Sequence, residues 1–135
     1  MKVIVIGSGW VGQKLIDNLL QKEDVEVIVI DNDPMNLNFF VGRERCRTVL
    51  GHGTDETVLK LAGIEEAEAF AAVTNNDCIN IMASLIARDI YNIKNVVARV
   101  YDPELSDIFF NYGLKTICPT TLGASQIKDA LLAEF

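Results

Sequence analysis

The sequence has 135 residues, half of them hydrophobic, and carries 12 lysines and arginines against 19 aspartates and glutamates, a formal net charge of −7. A chain of this length and apolarity predicts one domain with a buried core and excludes a disordered segment. The acidic balance argues against nucleic acid and against an anionic membrane surface as the main partner.

Apolar runs and stretches of helical spacing alternate along the chain. The runs are rich in β-branched residues and predict six strands, over residues 3–6, 25–30, 47–50, 69–73, 95–100 and 115–118. The intervening stretches predict helices over residues 11–21, 34–42, 54–63 and 103–113, and one that begins at Asn76 or Asp77. This alternation predicts an α/β fold, a doubly wound parallel sheet of six strands with right-handed crossovers in a single domain.

Helical spacing also predicts which residues the helices bury. In the first helix the predicted apolar stripe is Val11, Leu15, Leu19 and Leu20. In the fourth helix the residues predicted to be buried are Ile79, Met82, Ala83, Leu85, Ile86 and Ile90.

The last segment, residues 120–135, departs from the alternation. It has helical spacing and no strand follows it, and its apolar residues are Leu122, Ile127, Leu131, Leu132 and Phe135. We expect a C-terminal helix over about residues 120–134 that is buried against a partner subunit. The alternative is that its apolar face folds back onto the sheet of its own chain.

The strongest local motif is a glycine loop that follows the first strand and opens the first helix. The first glycine of such a loop permits a tight turn, the second lets backbone approach a pyrophosphate, and the third lets the helix pack close to the strand. The helix N-terminus adds free N–H groups and a partial positive charge. The loop predicts a Rossmann-like phosphate site formed by Gly7, Ser8, Gly9, Trp10, Val11 and Gly12. Trp10 is expected either in the core or as an exposed cover on the ligand or a partner.

Asp31 ends the second predicted strand, 19 residues after Gly12. This spacing predicts that its carboxylate accepts hydrogen bonds from the adenosine ribose. A 2′-phosphate would meet like charge there, and Asn32 rather than arginine follows, so NADP is disfavoured by up to roughly three decades in affinity.

Further polar loops follow the other strands at the same predicted edge. The loop Gly51-His52-Gly53-Thr54 is expected beside adenine or ribose, and Thr54 is predicted to cap the next helix. Thr74, Asn75 and Asn76 follow the fourth strand and predict contacts to the distal end of the ligand. Arg99 lies near the end of the fifth predicted strand and is expected either to contact a phosphate or to pair with Asp102 or Glu104.

Taken in order, these motifs resemble the regulator-of-potassium-conductance (RCK) family, in particular the TrkA N-terminal domain of Trk and Ktr potassium-uptake systems. The resemblance covers essentially the whole chain, 1–135. It is carried by Val-Ile-Val-Ile-Gly-Ser-Gly-Trp-Val-Gly, Asp31, Gly51-His52-Gly53-Thr54, Ala-Val-Thr-Asn-Asn-Asp at 72–77 with Asn80, and Val-Ala-Arg-Val at 97–100.

The resemblance implies a regulatory domain that binds NAD(H) or an adenine nucleotide. It also implies homodimers that assemble into a ring and gate a membrane potassium transporter or channel from the cytoplasmic face. Many Ktr-type relatives have arginine where this chain has Trp10, which favours NAD(H), ADP or AMP over ATP. The family's C-terminal ligand-binding module is absent from this sequence, so we expect a stand-alone domain or a fragment.

The sequence offers no catalytic set around the predicted nucleotide site. His52 is the only histidine, and no nucleophile, base and acid can be assembled around it. Tyr91 and Tyr112 are followed four residues later by Asn95 and Thr116, not by the lysine of a short-chain dehydrogenase pair. With no length for a substrate domain, we expect a binding domain rather than an enzyme. The alternative is an NAD-dependent oxidoreductase fragment that lacks its substrate domain.

Compartment and metal binding follow from what the sequence lacks. No run approaches the roughly 20 apolar residues of a membrane helix, and the first residues do not resemble a signal peptide. We therefore expect a cytoplasmic protein without direct membrane insertion.

Its three cysteines fit neither a disulfide framework nor a metal site, and each is expected to be a small buried hydrophobe. Arg43, Arg45 and Arg47 are expected on a solvated loop.

Overall fold

The computed structural model describes residues 1–134 and contains one sheet of six parallel strands. The strands are β1 (Lys2–Ile6), β2 (Glu26–Asp31), β3 (Cys46–Leu50), β4 (Ala69–Ala72), β5 (Asn95–Arg99) and β6 (Lys115–Ile117). Their order across the sheet is β3-β2-β1-β4-β5-β6. The first three strands extend the sheet to one side of β1 and the last three extend it to the other side, so the switch point lies between the neighbouring strands β1 and β4. The predicted doubly wound α/β fold is confirmed.

The central strands are buried on both faces, and each face has its own core. Ile4 of β1 pairs with Ile28 of β2 and with Phe70 of β4. Successive side chains of a strand point to opposite faces. The isoleucines of β1 and β2 accordingly join one hydrophobic cluster with Leu59, while their valines join a second cluster with Ile16. Helices therefore cover both faces of the sheet.

Five α-helices connect the strands, and a sixth follows β6. They are α1 (Trp10–Leu20), α2 (Pro34–Leu37), α3 (Glu56–Leu61), α4 (Asp77–Leu85), α5 (Pro103–Asn111) and α6 (Pro119–Leu132). A 3-10 turn over Asn38–Phe40 continues α2, another over Ile64–Glu66 follows α3, and one π-helical turn over Ile86–Ile90 continues α4.

Side chains at the starts of four helices accept hydrogen bonds from the first turn. The capping side chains are Asp33 for α2, Asp55 for α3, Asn76 for α4 and Asp102 for α5. The prediction that Thr54 caps the third helix is wrong. The carboxylate of Asp55 lies one residue later and accepts from the N–H of Thr57 at 2.9 Å.

Two predicted buried stripes are partly wrong. In α1 the buried residues are Gly12 and Ile16, while Val11 is 45% exposed. In α4 Met82 is exposed, because polar residues, Asn80 and Ser84, turn inward with Ile81 and Ala83. Ile90, also predicted to be buried, is exposed at the end of the π-helical turn.

Arg43, Arg45 and Arg47 are exposed as expected, although Arg47 lies in β3 and not on a loop, and two of them also hold helix ends in place. Arg45 has φ of 60°, and its guanidinium donates to the carbonyl oxygens of Leu20, Lys22 and Val25 at 2.6–2.8 Å. Arg47 donates to the carbonyl oxygens of Leu61 and Ala62 at 3.0 and 3.1 Å. The last carbonyls of a helix have no partner inside it, so these arginines supply one for α1 and α3.

Helix α6 does not pack on the sheet of its own chain. Its described side chains include no buried residue, and Leu122, Ile127, Leu131 and Leu132 are all more than half exposed. The alternative in which this helix folds back is therefore wrong for the described residues, while Phe135 lies outside them. None of the helices within residues 1–134 has both the length and the apolarity to cross a membrane.

The cysteines are not all buried as expected. Cys46 and Cys118 are half-buried, but Cys78 is exposed, on the first turn of α4. All three are free thiols. Burial raises the pKa of the Cys46 thiol.

Candidate functional site

The carboxyl ends of the strands enclose a cleft of about 1040 Å³. Parallel strands end at the same edge, so the loops that follow β1 to β5 converge there. Of the predicted site residues, Gly12 and Thr54 do not line the cleft. The others do, and they are Gly7, Ser8, Gly9, Trp10, Val11, Asp31, Asn32, Gly51, His52, Gly53, Thr74, Asn75, Asn76 and Arg99.

Several cleft residues were not predicted from the sequence. They are Gln13, Asn36, Phe39, Ile79 and Tyr101, together with the apolar floor of Ile6, Ile30 and Val73. Tyr101 could have been found, because it lies two residues beyond the end of β5. Asn36 and Phe39 could not have been found, because they line the cleft only as a result of how α2 and the turn after it pack beside β2.

Two glycines of the loop are required by packing within the chain. Gly7 has φ of +98°, and a Cβ there would lie 2.9 Å from the backbone nitrogen of Thr74. A Cβ at Gly12 would overlap the carbonyl oxygen of Gly7. Both contacts are with backbone, which cannot move aside as a flexible side chain can. Gly12 therefore acts in helix packing and not as a lining residue.

Gly9 has no such requirement within the described chain. A Cβ built there meets no atom within 4 Å, and its φ of −70° is open to any residue. Gly9 caps α1 without a side-chain acceptor, so the first N–H groups of the helix stay free for an anion. The missing side chain leaves open space in the cleft beside those donors.

Trp10 follows Gly9 on the rim of the cleft. It is 92% exposed, so core packing, one of its two expected roles, is wrong. The ring is therefore available to a ligand or a partner.

Asp31 is buried and holds the glycine loop. Its Oδ2 accepts from the N–H of Ser8 at 2.9 Å, the Ser8 hydroxyl at 2.7 Å and the Asn36 amide at 3.3 Å, and its Oδ1 accepts from the N–H of Asp33 at 2.8 Å. An ionised carboxylate offers about four acceptor positions, two on each oxygen. Oδ2 is thus fully used, and Oδ1 keeps one position for a ligand hydroxyl.

The same contacts keep the Asp31 carboxyl ionised. Burial acts to raise its pKa, but the hydrogen bonds from Asp33, Ser8 and Asn36 outweigh burial and lower the pKa below its ordinary value. The site therefore presents a negative charge on the β2 side of the glycine loop.

Asn80 joins the ends of β4 and β5 at the opposite side of the cleft. It is fully buried, and its Oδ1 accepts from the N–H and hydroxyl of Thr74 at 2.9 and 2.6 Å. Its Nδ2 donates to the carbonyl oxygens of Thr74 and Arg99 at 3.0 and 2.8 Å. All four hydrogen-bonding positions of the amide are used, which fixes the loop after β4 relative to Arg99.

Arg99 supplies the positive charge of the cleft. It is 5% exposed, and its Nη2 donates to the carbonyl of Thr74 at 2.8 Å and to Oδ1 of Asn75 at 3.2 Å. Its guanidinium carbon lies 4.7 Å from the ring centroid of Tyr101. Within residues 1–134 it forms no ion pair, so the expected alternative of pairing with Asp102 or Glu104 is wrong. Its buried Nε has no partner.

The family model of the TrkA-N domain matches residues 3–119 of this chain. The chain belongs to the TrkA-N domain family. The resemblance expected from the glycine loop, Asp31 and the later loops is therefore confirmed. Among residues 1–134 of this TrkA-N domain, no group of three or more histidine, cysteine or acidic side chains is arranged to hold a metal.

Curated relatives carry the same domain at the level of sequence. The chain is 37% identical over 132 residues to the Trk system potassium uptake protein TrkA of Streptomyces coelicolor, covering 98% of this chain and 59% of that protein. It is 36% identical over 104 residues to the protein of the same name from Vibrio alginolyticus, covering 77% and 22%. The TrkA-N domain described here thus spans about three fifths or less of the length of these relatives.

Solved structures share its fold. The TrkA-N domain of the inner membrane protein ybaL from Escherichia coli superposes with a TM-score of 0.85 at 21% identity, covering 98% of this chain and 96% of that one. The GsuK channel bound to NAD superposes with a TM-score of 0.79 at 26% identity, covering 96% and 23%. GsuK bound to ADP matches at the same TM-score and identity, covering 97% and 34%.

Proposed function

We propose that this TrkA-N domain binds NAD(H) in the cleft and is the ligand-sensing part of a potassium-uptake regulator. The observation that carries the proposal is Gly9, whose missing side chain leaves open space beside the free N–H groups of α1. The names of the TrkA relatives and the NAD-bound and ADP-bound GsuK structures support it.

The proposed pose follows the order of the strands. The pyrophosphate lies against the N-terminus of α1, one ribose hydroxyl donates to Oδ1 of Asp31, and adenine lies near Asn32 and the loop after β3. The second half of a dinucleotide then extends over β4 towards Asn75 and Arg99. AMP or ADP would fill the first half and leave Arg99 without a ligand contact, whereas the second ribose of a dinucleotide extends to it, so we propose NAD(H) as the preferred ligand.

An oxidoreductase is the rival function, and the position of His52 argues against it. His52 follows β3, and four strand spacings of about 4.8 Å separate β3 from β5 in the sheet. The only histidine would thus lie roughly 19 Å across the sheet from Arg99, at the adenine end. The proposed nicotinamide half lies at the other end, so we propose binding without turnover.

Helix α6 supports the proposed assembly. Ala124, Ile127, Lys128, Leu131 and Leu132 line an apolar groove along it, at the spacing of one helix face. We propose that this face packs against a second copy, in homodimers or rings that act on a membrane potassium transporter from its cytoplasmic side. Ligand would favour one subunit geometry, by no more than its difference in affinity for the two states.

The test is calorimetric titration of NADH, NAD, ADP, AMP and ATP into the purified protein. Gly9→Ser adds a side chain in the cleft but keeps a residue type that caps helices well, so the fold should be unchanged. We expect wild type to bind NADH and Gly9→Ser to weaken it about tenfold or more.

Gly123→Ser is the matched control, because a Cβ at Gly123 also meets nothing within 4 Å but lies on α6, away from the cleft. We expect it to bind NADH as wild type does. If wild type does not bind NADH, or if Gly9→Ser binds NADH as tightly as wild type, the proposed function is wrong.

A further inference from the structure

Tyr101 contacts three parts of the molecule. Its side chain contacts Arg99, its N–H contacts the start of α4, and its carbonyl contacts the start of α6. Its ring lies against the guanidinium of Arg99 at 4.7 Å, at the distal end of the cleft. Arg99 is held on a second side by Thr74 and Asn75 and has no acidic partner among the described residues. The hydroxyls of a second ribose, or another acceptor at the far end of a dinucleotide, are natural partners for its charged N–H donors.

The backbone of Tyr101 is held by α4. Oδ1 of Asp77, in the first turn of α4, accepts from the N–H of Tyr101 at 2.8 Å, and Oδ2 accepts from the N–H of Asp102 at 3.1 Å. Asn76, which caps α4, lines the cleft next to Arg99's other contacts. The position of Tyr101 and Asp102, after β5, is therefore tied to the start of α4, where Asn76 lines the cleft.

The carbonyl of Tyr101 holds the start of α6. It accepts from the hydroxyl of Thr120 at 2.8 Å and from the thiol of Cys118 at 3.5 Å. In the part of the chain that the structure describes, these are the hydrogen bonds that tie the start of α6 to the rest of the domain. Since α6 buries no described side chain against its own chain, this attachment and not packing within the subunit sets its direction relative to the sheet.

We propose that Tyr101 is a positioning residue that couples ligand contact at Arg99 to the orientation of α6. A ligand acceptor hydrogen-bonded to Arg99 fixes the guanidinium and the ring stacked on it, and the Tyr101 carbonyl passes that restraint to Thr120. The inference rests on the proposed nucleotide site. It adds a specific requirement, that a ligand must extend to Arg99 in order to act on α6.

The test compares two ligands that differ in whether they extend to Arg99. Calorimetry first establishes saturating concentrations of NADH and AMP, and hydrogen–deuterium exchange is then measured for the amides of residues 120–126. We expect NADH to slow their exchange by about fivefold or more, the low end of typical coupling between sites. AMP, which ends at its single phosphate, is expected to bind without changing their exchange.

Two neighbouring threonines provide matched variants. Thr120→Val removes the hydroxyl bonded to Tyr101 and is expected to abolish the NADH effect on α6 while NADH still binds. Thr121→Val removes a hydroxyl whose hydrogen-bond partner among residues 1–134 is the Cys118 sulfur, at 3.4 Å, and not Tyr101, so it is expected to keep the effect. Tyr101→Leu removes the ring over Arg99. It is also expected to abolish the NADH effect on α6, because the contact between Arg99 and the side chain of residue 101 is lost.

The outcomes separate the coupling from the binding function. If bound NADH leaves α6 unchanged, if AMP slows exchange as much as NADH, or if Thr120→Val keeps the full effect, the coupling is wrong and the binding function stands. If NADH does not bind wild type at all, the proposed function fails, and the coupling fails with it.

Discussion

The hydroxyl of Ser8 donates a hydrogen bond of 2.7 Å to Oδ2 of Asp31, and the N–H of Ser8 donates to the same oxygen. Two residues 23 positions apart in sequence thereby join the glycine loop to the end of β2. The carboxylate therefore has two tasks, since it holds the loop and offers one remaining acceptor position to a ligand.

This carboxylate makes stability depend on acid pH. The pKa of Asp31 in the folded protein lies below its ordinary value of 3.8, so the group stabilises the fold above that value and the stabilisation is lost as pH falls through the folded pKa. Asp31→Asn removes the titration. We expect urea-unfolding midpoints between pH 3 and pH 7 to fall more steeply towards acid for wild type than for Asp31→Asn. Parallel curves would contradict this role for Asp31.

The same charge should discriminate against a 2′-phosphate. Like charges at contact distance repel by about 1 to 4 kcal/mol at effective dielectric constants between water and protein surface. We expect NADPH to bind wild type at least about tenfold more weakly than NADH. Asp31→Asn should narrow the ratio of the two affinities, measured by calorimetry. An unchanged ratio would show that the rejection of NADPH lies elsewhere.

Gly12 and Gly9 should respond differently to an added side chain. A Cβ at Gly12 overlaps the carbonyl of Gly7, so we expect Gly12→Ala to destabilise the fold by about 3 kcal/mol, the upper end of overpacking costs. Gly9→Ser should unfold at the wild-type temperature. Thermal unfolding followed by circular dichroism distinguishes the two, and similar melting temperatures would refute the packing role of Gly12.

Arg45 should contribute to stability although it is exposed. Its guanidinium supplies partners for three carbonyls around the end of α1, so we expect Arg45→Met to destabilise the fold by about 2 kcal/mol. Arg43→Met is the control, because it removes an exposed ion pair with Asp17, worth roughly 0 to 1 kcal/mol, and a contact of the guanidinium with the Phe40 ring at 5.5 Å, but no hydrogen bond to a helix end. Urea denaturation measures both, and equal losses would contradict the helix-end role.

The exposed face of α6 should decide the oligomeric state. We expect wild type to be a dimer or a larger assembly by light scattering, and Leu131→Asp to shift it to the monomer by placing a charge in the apolar groove. Asp129→Ser, at an exposed position outside that groove, should leave the assembly unchanged. A monomeric wild type at tens of micromolar would overturn the proposed subunit contact.

The doubly wound parallel fold and the strand ends that line the cleft were predictable from the sequence, because both depend on local signals. Uninterrupted β-branched runs such as that of β2 indicate buried parallel strands. The spacing of Gly7, Gly9 and Gly12 and the polar residue at each strand end then place the site at one edge of the sheet. Where local signals compete, prediction failed, as at Met82, because the hydrogen bonds of Asn80 turn that face of α4 inward.

The sequence by itself determined the doubly wound sheet, the glycine loop and many of the strand-end residues that line the cleft, because those follow from periodicity and from position at strand ends. Only the tertiary structure decided what each polar side chain contacts. Arg45 on helix carbonyls, Ser8 on Asp31, and Tyr101 between Arg99 and Thr120 all join residues about 20 or more positions apart in sequence, or on different elements. Hydrogen-bond partners depend on distances and angles that a one-dimensional pattern does not contain.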